Sequence, residues 1–230
     1  MTISLFVRSY DKDFEWLAYS VKSMRKNLIG VDDRILVVPT TTTNIPVDIR
    51  SFFDRVETSI ETHPGYIAQQ IDKIRAYKYC KHPNILFSDS DCIYYKPFDA
   101  CKCLTEEGRA IVYKTLYTMI HRDARVWQNI TYKVIGIKPK WEYMRAFPIL
   151  HKAAVCEFLD TLPSYNKYLK EVTGHNLSEF NALGLLAENI YPYLYEFIDT
   201  STCPKMQVAK QYWSWGGITD EIRKELDASF

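Results

Sequence analysis

The sequence predicts a single α/β domain with a mostly parallel central sheet flanked by helices. Short apolar segments alternate with segments whose apolar residues recur every three or four positions, the pattern of strands alternating with helices. Such alternation is typical of sheets whose strands run mostly parallel. No internal repeat and no linker is visible, so we treat residues 1–230 as one domain.

Strands and helices alternate through the first ninety residues. The first expected helix carries Leu17, Val21 and Met24 at helical spacing and is stopped by Gly30. The second expected helix carries a stripe of isoleucines on one face. In chain order we predict a strand at 2–10, a helix at 14–28, strands at 34–39 and 55–58, a helix at 65–80 and a strand at 84–88.

The second half of the chain is less regular. Residues 115–145 hold aromatic and basic residues with few glycines, and they receive no assignment. Ser178 is a candidate N-cap for a later helix. The predictions here are a strand at 109–114, helices at 147–162 and 177–189, a strand at 193–199, and an aromatic loop at 211–219 before a short terminal helix.

Composition and charge argue against several classes of partner. Lysine plus arginine total 29 and aspartate plus glutamate total 28, so the charge does not favour nucleic acid or an anionic membrane. No apolar run reaches about 18 residues, and the N-terminal segment turns polar too early for a signal peptide. None of the six cysteines forms a CxxC pair. We therefore expect reduced thiols, no integral membrane segment and a cytoplasmic protein (in the host cytoplasm if the chain is viral).

An acidic pair follows a buried strand in the segment "ILFSDSDCIYY", residues 85–95. Asp89 and Asp91 fall at the carboxyl end of that strand, the edge where open α/β sheets bind their ligands. Two neighbouring carboxylates repel each other and are tolerated best with a cation between them. Three interpretations compete: turn residues that cap a loop, the nucleophile region of a phosphatase, and a divalent metal site for a nucleotide diphosphate.

The phosphatase interpretation rests on the haloacid-dehalogenase type, whose nucleophilic aspartate also sits in a strand-end DxD. In those enzymes the motif has the form "DxDGT" and lies close to the start of the domain. Here Cys92 and Ile93 stand in place of the glycine and threonine, and 88 residues precede the motif. The metal interpretation needs only one or two carboxylates, because Mg²⁺ or Mn²⁺ completes its shell with phosphate oxygens and water.

The segment "ILFSDSDCIYYKPF" resembles the strand-end DxD motif of the GT-A class of nucleotide-sugar glycosyltransferases. The preceding helix, "YIAQQIDKIRAYKY", lies where such enzymes often carry nucleotide-contacting residues. The segment "LSEFNALG" places Glu179 88 residues after Asp91, similar to the acidic residue that faces the acceptor in many members. Small transferases of bacteria and large DNA viruses are similar in size. Residues 115–145 match no part of this class that we can name.

This resemblance implies a GT-A-like (Rossmann-like) domain, with residues 1–100 as the nucleotide-sugar-binding half and 101–230 as the acceptor-binding half. The expected function is metal-dependent transfer of a sugar from a nucleotide sugar, a UDP-hexose, to a glycan or other acceptor hydroxyl. Direct displacement would invert the anomeric carbon, and retention stays open. The expected cofactor is Mn²⁺ or Mg²⁺. The alternative is a protein without enzymatic activity, namely a nucleotide-binding or sugar-binding domain.

The expected site residues come from four segments, and each has a structural alternative. Arg8, Ser9 and Tyr10 follow the first strand and form either a nucleotide contact or a surface loop. Gln70 and Lys73 share a helix face and either contact the nucleotide or are solvated. Asp89 and Asp91 are the expected metal ligands, and Asp89 and Ser90 also contact the donor.

Glu179 is the expected base, although a carboxylate in a first helical turn is favoured by the helix dipole whatever its role. The tryptophans of the second half either stack on sugar rings or pack in the core: Trp127, Trp213 and Trp215.

Overall fold

The computed structural model describes residues 1–59, 63, 65–120, 125–144, 148–172, 177–203 and 207–229, apart from the side chain of Trp215. Its central sheet has five strands, labelled here in chain order. Across the sheet they are β10 (Ile149–Lys152), β5 (Asn84–Asp89), β1 (Ile3–Arg8), β3 (Asp33–Pro39) and β4 (Arg55–Ser59). Four of them run parallel, and β10 runs antiparallel to β5 at one edge.

The described residues also form three smaller sheets. The largest has three strands, β11 (Tyr195–Asp199), β8 (Ala110–Leu116) and β9 (Trp141–Glu142). The strand β12 (Ala209–Gln211) pairs antiparallel with β6 (Cys92–Tyr94), directly after the acidic pair. The strands β2 (Leu28–Ile29) and β7 (Phe98–Asp99) form a short parallel pair.

Helices pack around these sheets. The α-helices are α1 (Phe14–Asn27), α2 (Val47–Arg50), α3 (Gly65–Ile74), α4 (Val126–Ile135), α5 (Ala153–Thr161), α6 (Pro163–Glu171), α7 (Glu179–Ile190) and α8 (Asp220–Asp227). Single 3-10 turns connect several elements, including Asp11–Asp13, Arg75–Lys78 and Ser214–Gly216. Within the described ranges, no helix is both long and apolar enough to cross a lipid bilayer.

The predicted α/β architecture with a mostly parallel sheet and flanking helices is confirmed. The six elements expected in the first ninety residues are all present, with ends shifted by a few residues. The helix expected at 65–80 is α-helical only to Ile74 and then continues as the 3-10 turn Arg75–Lys78. Ser178 caps α7 as predicted, because its side chain accepts a hydrogen bond from the backbone N–H of Asn181.

The helix predicted at 147–162 is wrong at its start. Ile149–Lys152 is the edge strand β10, and the helix begins only at Ala153. A short apolar run has no periodicity that separates a buried strand from a buried helix. What decides the outcome is the free edge of β5, where Ile149 pairs with Phe87. The unassigned segment 115–145 supplies the end of β8, the helix α4 and the strand β9.

The inner strands are apolar because they are covered on both faces. All six residues of β1 are buried, and so are all six of β5, as expected for parallel strands between helix layers. One hydrophobic core contains residues from both halves of the chain, from Ile3 to Val208. In this core α7 approaches Tyr143 so closely that Gly184 has no room for a side chain: a Cβ there would lie 2.3 Å from Tyr143 Cγ.

We expect Gly184→Ala to destabilise the protein. Alanine in a helix interior gains about 1 kcal/mol over glycine from propensity, but overpacking a filled core costs about 1–3 kcal/mol, and the buried Tyr143 ring has little room to retreat. Urea denaturation should show a lower free energy of unfolding. Gly65→Ala is the matched control, since a Cβ there meets no atom within 4 Å. Equal stability of both variants would contradict the close contact.

Candidate active site

A cleft of about 520 Å³ opens at the edge where β1 and β5 end. In the register of these parallel strands Arg8 lies beside Asp89, so the two side chains emerge at the same edge. The sequence-predicted residues that line the cleft are Arg8, Tyr10, Gln70, Lys73, Asp89, Ser90, Asp91 and Glu179. Ser9 is the exception: it is buried, and its backbone N–H donates to Val37 O at 3.1 Å.

Lys73 is the buried centre of the cleft. Only 4% of its side chain is exposed, and its Nζ lies 2.5 Å from Asp89 Oδ1 and 2.9 Å from Glu179 Oε1. Burial alone would lower the pKa of Lys73, but the two carboxylates outweigh it and raise the pKa well above its usual value. Three segments therefore meet at one ammonium group: α3, the end of β5 and, from much further along the chain, the start of α7.

Gln70 lies one helical turn before Lys73 and is also buried. Its side-chain amide donates to the carbonyl of Leu177, which joins α3 to the residue pair before α7. The alternative in which Gln70 and Lys73 are solvated helix residues is thus wrong. Their burial was not predictable from the sequence, because the residues that cover this face of α3, Leu177 and Glu179, lie 107 and 106 positions further along the chain.

The two aspartates of the acidic pair have different surroundings. Asp89 is engaged at both oxygens, by Lys73 and by the amide of Gln211, which donates to Oδ2 at 3.0 Å. Asp91 Oδ2 accepts a hydrogen bond from the backbone N–H of Ser214 at 2.8 Å. Asp91 Oδ1 is buried and has no hydrogen-bond partner among the described residues. Burial, followed by repulsion from Asp89, raises the pKa of Asp91 to about 6.

Asp13 is a site residue that the sequence analysis missed. Its Oδ2 accepts hydrogen bonds from Ser90 Oγ at 3.2 Å and Ser214 Oγ at 3.5 Å, and it lines the cleft. Burial raises the pKa of this carboxyl above its usual value. The only available signal was its position three residues after Tyr10, in the loop already expected to contact the donor.

In the Gln211–Ser214 segment the sequence analysis singled out only Trp213, as a residue that either stacks on a sugar ring or packs in the core, and it missed the contacts of Gln211 and Ser214 with the acidic pair. The segment begins with the last residue of β12 and lies against the acidic pair, with the N–H of Tyr212 donating to the Asp91 carbonyl at 3.1 Å. Within it Trp213 has φ 59°, the one non-glycine residue in the described part of the chain with positive φ. Such a conformation is costly for a bulky side chain and is found mainly at functional sites.

Arg8 is held rigidly at the cleft wall. Its Nε lies 3.2 Å from Asp72 Oδ2, and its Nη1 donates to the carbonyl of Ser9 at 3.2 Å. Asp72 Oδ1 in turn accepts a hydrogen bond from Ser59 Oγ at 2.6 Å. Arg8 is only 5% exposed, so this network presents one fixed guanidinium to the cleft.

Aromatic side chains line the cleft at both ends. Tyr10 and Trp213 stand on the side of Asp13 and the Gln211–Ser214 segment, and Tyr66 and Trp127 stand near the starts of α3 and α4. The side chain of Trp215 lies outside the described part of the structure. The cleft thus combines a charged centre with flat apolar surfaces, a composition typical of small-molecule sites.

The charges of the cleft fit a divalent cation. Its lining contains two cationic side chains, Arg8 and Lys73, against four carboxylates: Asp13, Asp89, Asp91 and Glu179. The buried Asp91 Oδ1, which has no hydrogen-bond partner in the described part of the chain, is a suitable ligand atom for Mg²⁺ or Mn²⁺. Among the described residues, no three His, Cys, Asp or Glu side chains are grouped to hold a metal by themselves. The arrangement therefore suits a cation that takes its remaining ligands from water and a bound phosphate.

No protein-family model matches the chain, and no curated protein matches it at a significant level of similarity. The argument about function therefore rests on the geometry of the cleft.

We expect Lys73→Met to lower the free energy of unfolding by about 3–5 kcal/mol, because it leaves two buried carboxylates without their counterion. Chemical denaturation at neutral pH measures the loss. Lys78→Met is the matched control: Lys78 also pairs with a carboxylate, Asp160, but is half exposed, and such pairs contribute about 1 kcal/mol or less. Similar losses of unfolding free energy in both variants would show that the buried ion pairs of Lys73 stabilise the protein no more than the half-exposed pair of Lys78.

Proposed function

We propose that the protein is a metal-dependent glycosyltransferase with a GT-A-like fold, which moves a hexose from a UDP-sugar to an acceptor hydroxyl. The observation that carries this proposal is the buried Asp91 carboxylate, with one unpartnered oxygen, at the strand edge of a cleft that also holds Arg8 and Lys73. A cleft of about 520 Å³ is within the usual range for sites that enclose a small organic ligand.

The charge balance favours a nucleotide diphosphate that binds together with a divalent cation. Arg8 is neutralised by Asp72, and Lys73 is shared between Asp89 and Glu179. Among the described residues that line the cleft, no cationic side chain lacks a carboxylate partner, while Asp13 and Asp91 add negative charge. Asp91 is the residue that would hold Mn²⁺ or Mg²⁺. The bound metal would neutralise the negative charge that develops on the leaving diphosphate.

The two aspartates have separate roles in this proposal. Asp91 offers its unpartnered Oδ1 to the cation, while its Oδ2 stays fixed by the Ser214 amide. Asp89 orients Lys73, whose ammonium lies at the same strand edge as Arg8. Arg8 and Lys73 would donate hydrogen bonds to the phosphate oxygens from the protein side, while the divalent cation would supply the positive charge that these carboxylate-paired side chains do not. Tyr10 and Ser90 complete the donor contacts.

Glu179 is the proposed base for the acceptor hydroxyl. One carboxylate oxygen, Oε1, is paired with Lys73, so the other oxygen must accept the proton. The ion pair holds the carboxylate in place but also weakens it as a base. Direct displacement with Glu179 on the acceptor side would invert the anomeric carbon.

The pairing of Glu179 with Lys73 also favours a second candidate, a nucleotide-binding or sugar-binding domain without catalysis. This candidate uses the same cleft and the same metal but needs no base. Slow, metal-dependent hydrolysis of a UDP-sugar separates the two, because only an enzyme releases UDP over time.

We expect Asp91→Asn to abolish the metal dependence of UDP binding. Wild-type protein should bind UDP more tightly with Mn²⁺ than with a chelator, and the variant should bind equally in both, as measured by calorimetry. Because the pKa of Asp91 is raised to about 6, protonation below that pH should weaken Mn²⁺-dependent binding by up to about tenfold per pH unit.

Asp11→Asn is the control for this prediction, because Asp11 is exposed and lies close in sequence to the cleft residue Asp13. It should leave both the metal dependence and the pH profile unchanged. Retained Mn²⁺ dependence in Asp91→Asn would contradict the assignment of Asp91 as the metal ligand.

We expect Glu179→Gln to reduce turnover by about 10²–10⁴ while the affinity for the UDP-sugar stays nearly constant, because the amide keeps the shape but cannot accept the proton. Initial rates of UDP release with and without acceptor provide the measurement. Glu157→Gln, on an exposed turn of α5, is the control. A loss of affinity with unchanged turnover would make Glu179 a binding residue, and unchanged kinetics would support the non-catalytic candidate.

A further inference from the structure

We propose that the end of the cleft formed by the starts of α3, α4 and α7 is a subsite for a neutral pyranose ring, so that the acceptor is a saccharide. This inference rests on the proposed function, since it names the acceptor class for the same cleft. Its residues are Tyr66, Trp127, Met144, Ser178 and Glu179, which we call the helix-end subsite.

The hydrogen-bond network of the cleft has a linear order that separates two ligands. It starts at Asp13 and passes through Ser214 to Asp91. The backbone of the Gln211–Ser214 segment joins this part to a second one, which runs from Gln211 through Asp89 and Lys73 and ends at Glu179. A diphosphate at Asp91 and Lys73 lies in the middle of this order, so its nucleoside and the acceptor occupy opposite ends.

The nucleoside is best placed at the Asp13 end. Tyr10 and Trp213 offer flat faces there, and Trp213 adjoins Ser214, whose amide holds Asp91. A base stacked at this end has its phosphates within reach of the unpartnered Asp91 oxygen. The helix-end subsite is then left for the acceptor, beside the proposed base Glu179.

The chemistry of the helix-end subsite suits a neutral ring with one apolar face. Tyr66 and Trp127 are the second residues of their helices and supply aromatic surface, and Met144 adds a thioether. Such surfaces pack against the C–H face of a sugar, while the Glu179 carboxylate accepts hydrogen bonds from its hydroxyls.

Charge argues against an anionic acceptor. The charged residues that α3, α4 and α7 contribute to the cleft are Lys73 and Glu179, and these two are paired with each other. Among the described lining residues, a phosphate or carboxylate on the acceptor would meet Glu179 with no cation that is not already paired. A neutral saccharide meets no such penalty.

The test is a binding panel of neutral methyl glycosides and disaccharides, measured by calorimetry and by tryptophan fluorescence, with and without UDP and Mn²⁺. Sugar phosphates and uridine serve as competing ligand classes. We expect at least one neutral saccharide to bind without UDP or metal. Trp127→Ala should weaken it by about tenfold, and Trp127→Phe, which keeps a ring, should largely restore it. Val126→Ala is the control, because Val126 is an exposed neighbour outside the cleft.

Tyr10→Ala provides the reciprocal measurement, since it should weaken UDP and leave the saccharide unchanged. The proposal is overturned if no neutral saccharide binds, if Trp127→Ala has no effect, or if uridine rather than a saccharide depends on Trp127. Saccharide binding that depends on Trp127, with no Mn²⁺-dependent UDP binding, would uphold the subsite and reject the proposed transferase. The reverse result would reject the subsite alone.

Discussion

The buried ammonium of Lys73 is the interaction on which the architecture of the cleft depends. It holds the carboxylates of Asp89 and Glu179 within 3 Å, and these come from the end of β5 and the start of α7. Without a cation between them, these two buried carboxylates would repel, and the start of α7 would lose its position against α3. The same pairing consumes the positive charge of Lys73, which leaves the cleft anionic and suited to a ligand that arrives with a metal.

The parts of the fold and site that the sequence predicts are those with local signals. Continuous apolar runs identified β1, β3 and β5, and the chain order placed the Asp89–Asp91 pair at the ligand-binding edge. The start of the helix predicted at 147–162 failed because strand pairing at the free edge of β5 overrides local preference. Asp13 and Gln211 carry no distinguishing pattern, since their role arises only when distant segments meet. Burial of Gln70 and Lys73 has the same origin.

Asp91 illustrates how stability and binding oppose each other in this cleft. A buried carboxylate beside another carboxylate destabilises the folded state increasingly as the pH rises from the ordinary carboxyl pKa to its raised pKa of about 6, and an uncharged residue would relieve that repulsion. The protein nevertheless fixes one oxygen of Asp91 with a backbone amide and leaves the other without a partner in the described structure. Such unfavourable local interactions are expected at functional sites, where binding of a ligand offsets the lost stability.

The large sequence separation between the Gln211–Ser214 segment and the acidic pair has a consequence for biosynthesis. Gln211 and Ser214 reach back across 122 and 123 positions to bind Asp89 and Asp91. The ribosome adds roughly 5–20 residues per second, so Gln211 and Ser214 are synthesised several seconds after both aspartates. The carboxylates therefore spend seconds without the amides that orient them. The cleft is therefore complete only after Ser214 has emerged from the ribosome.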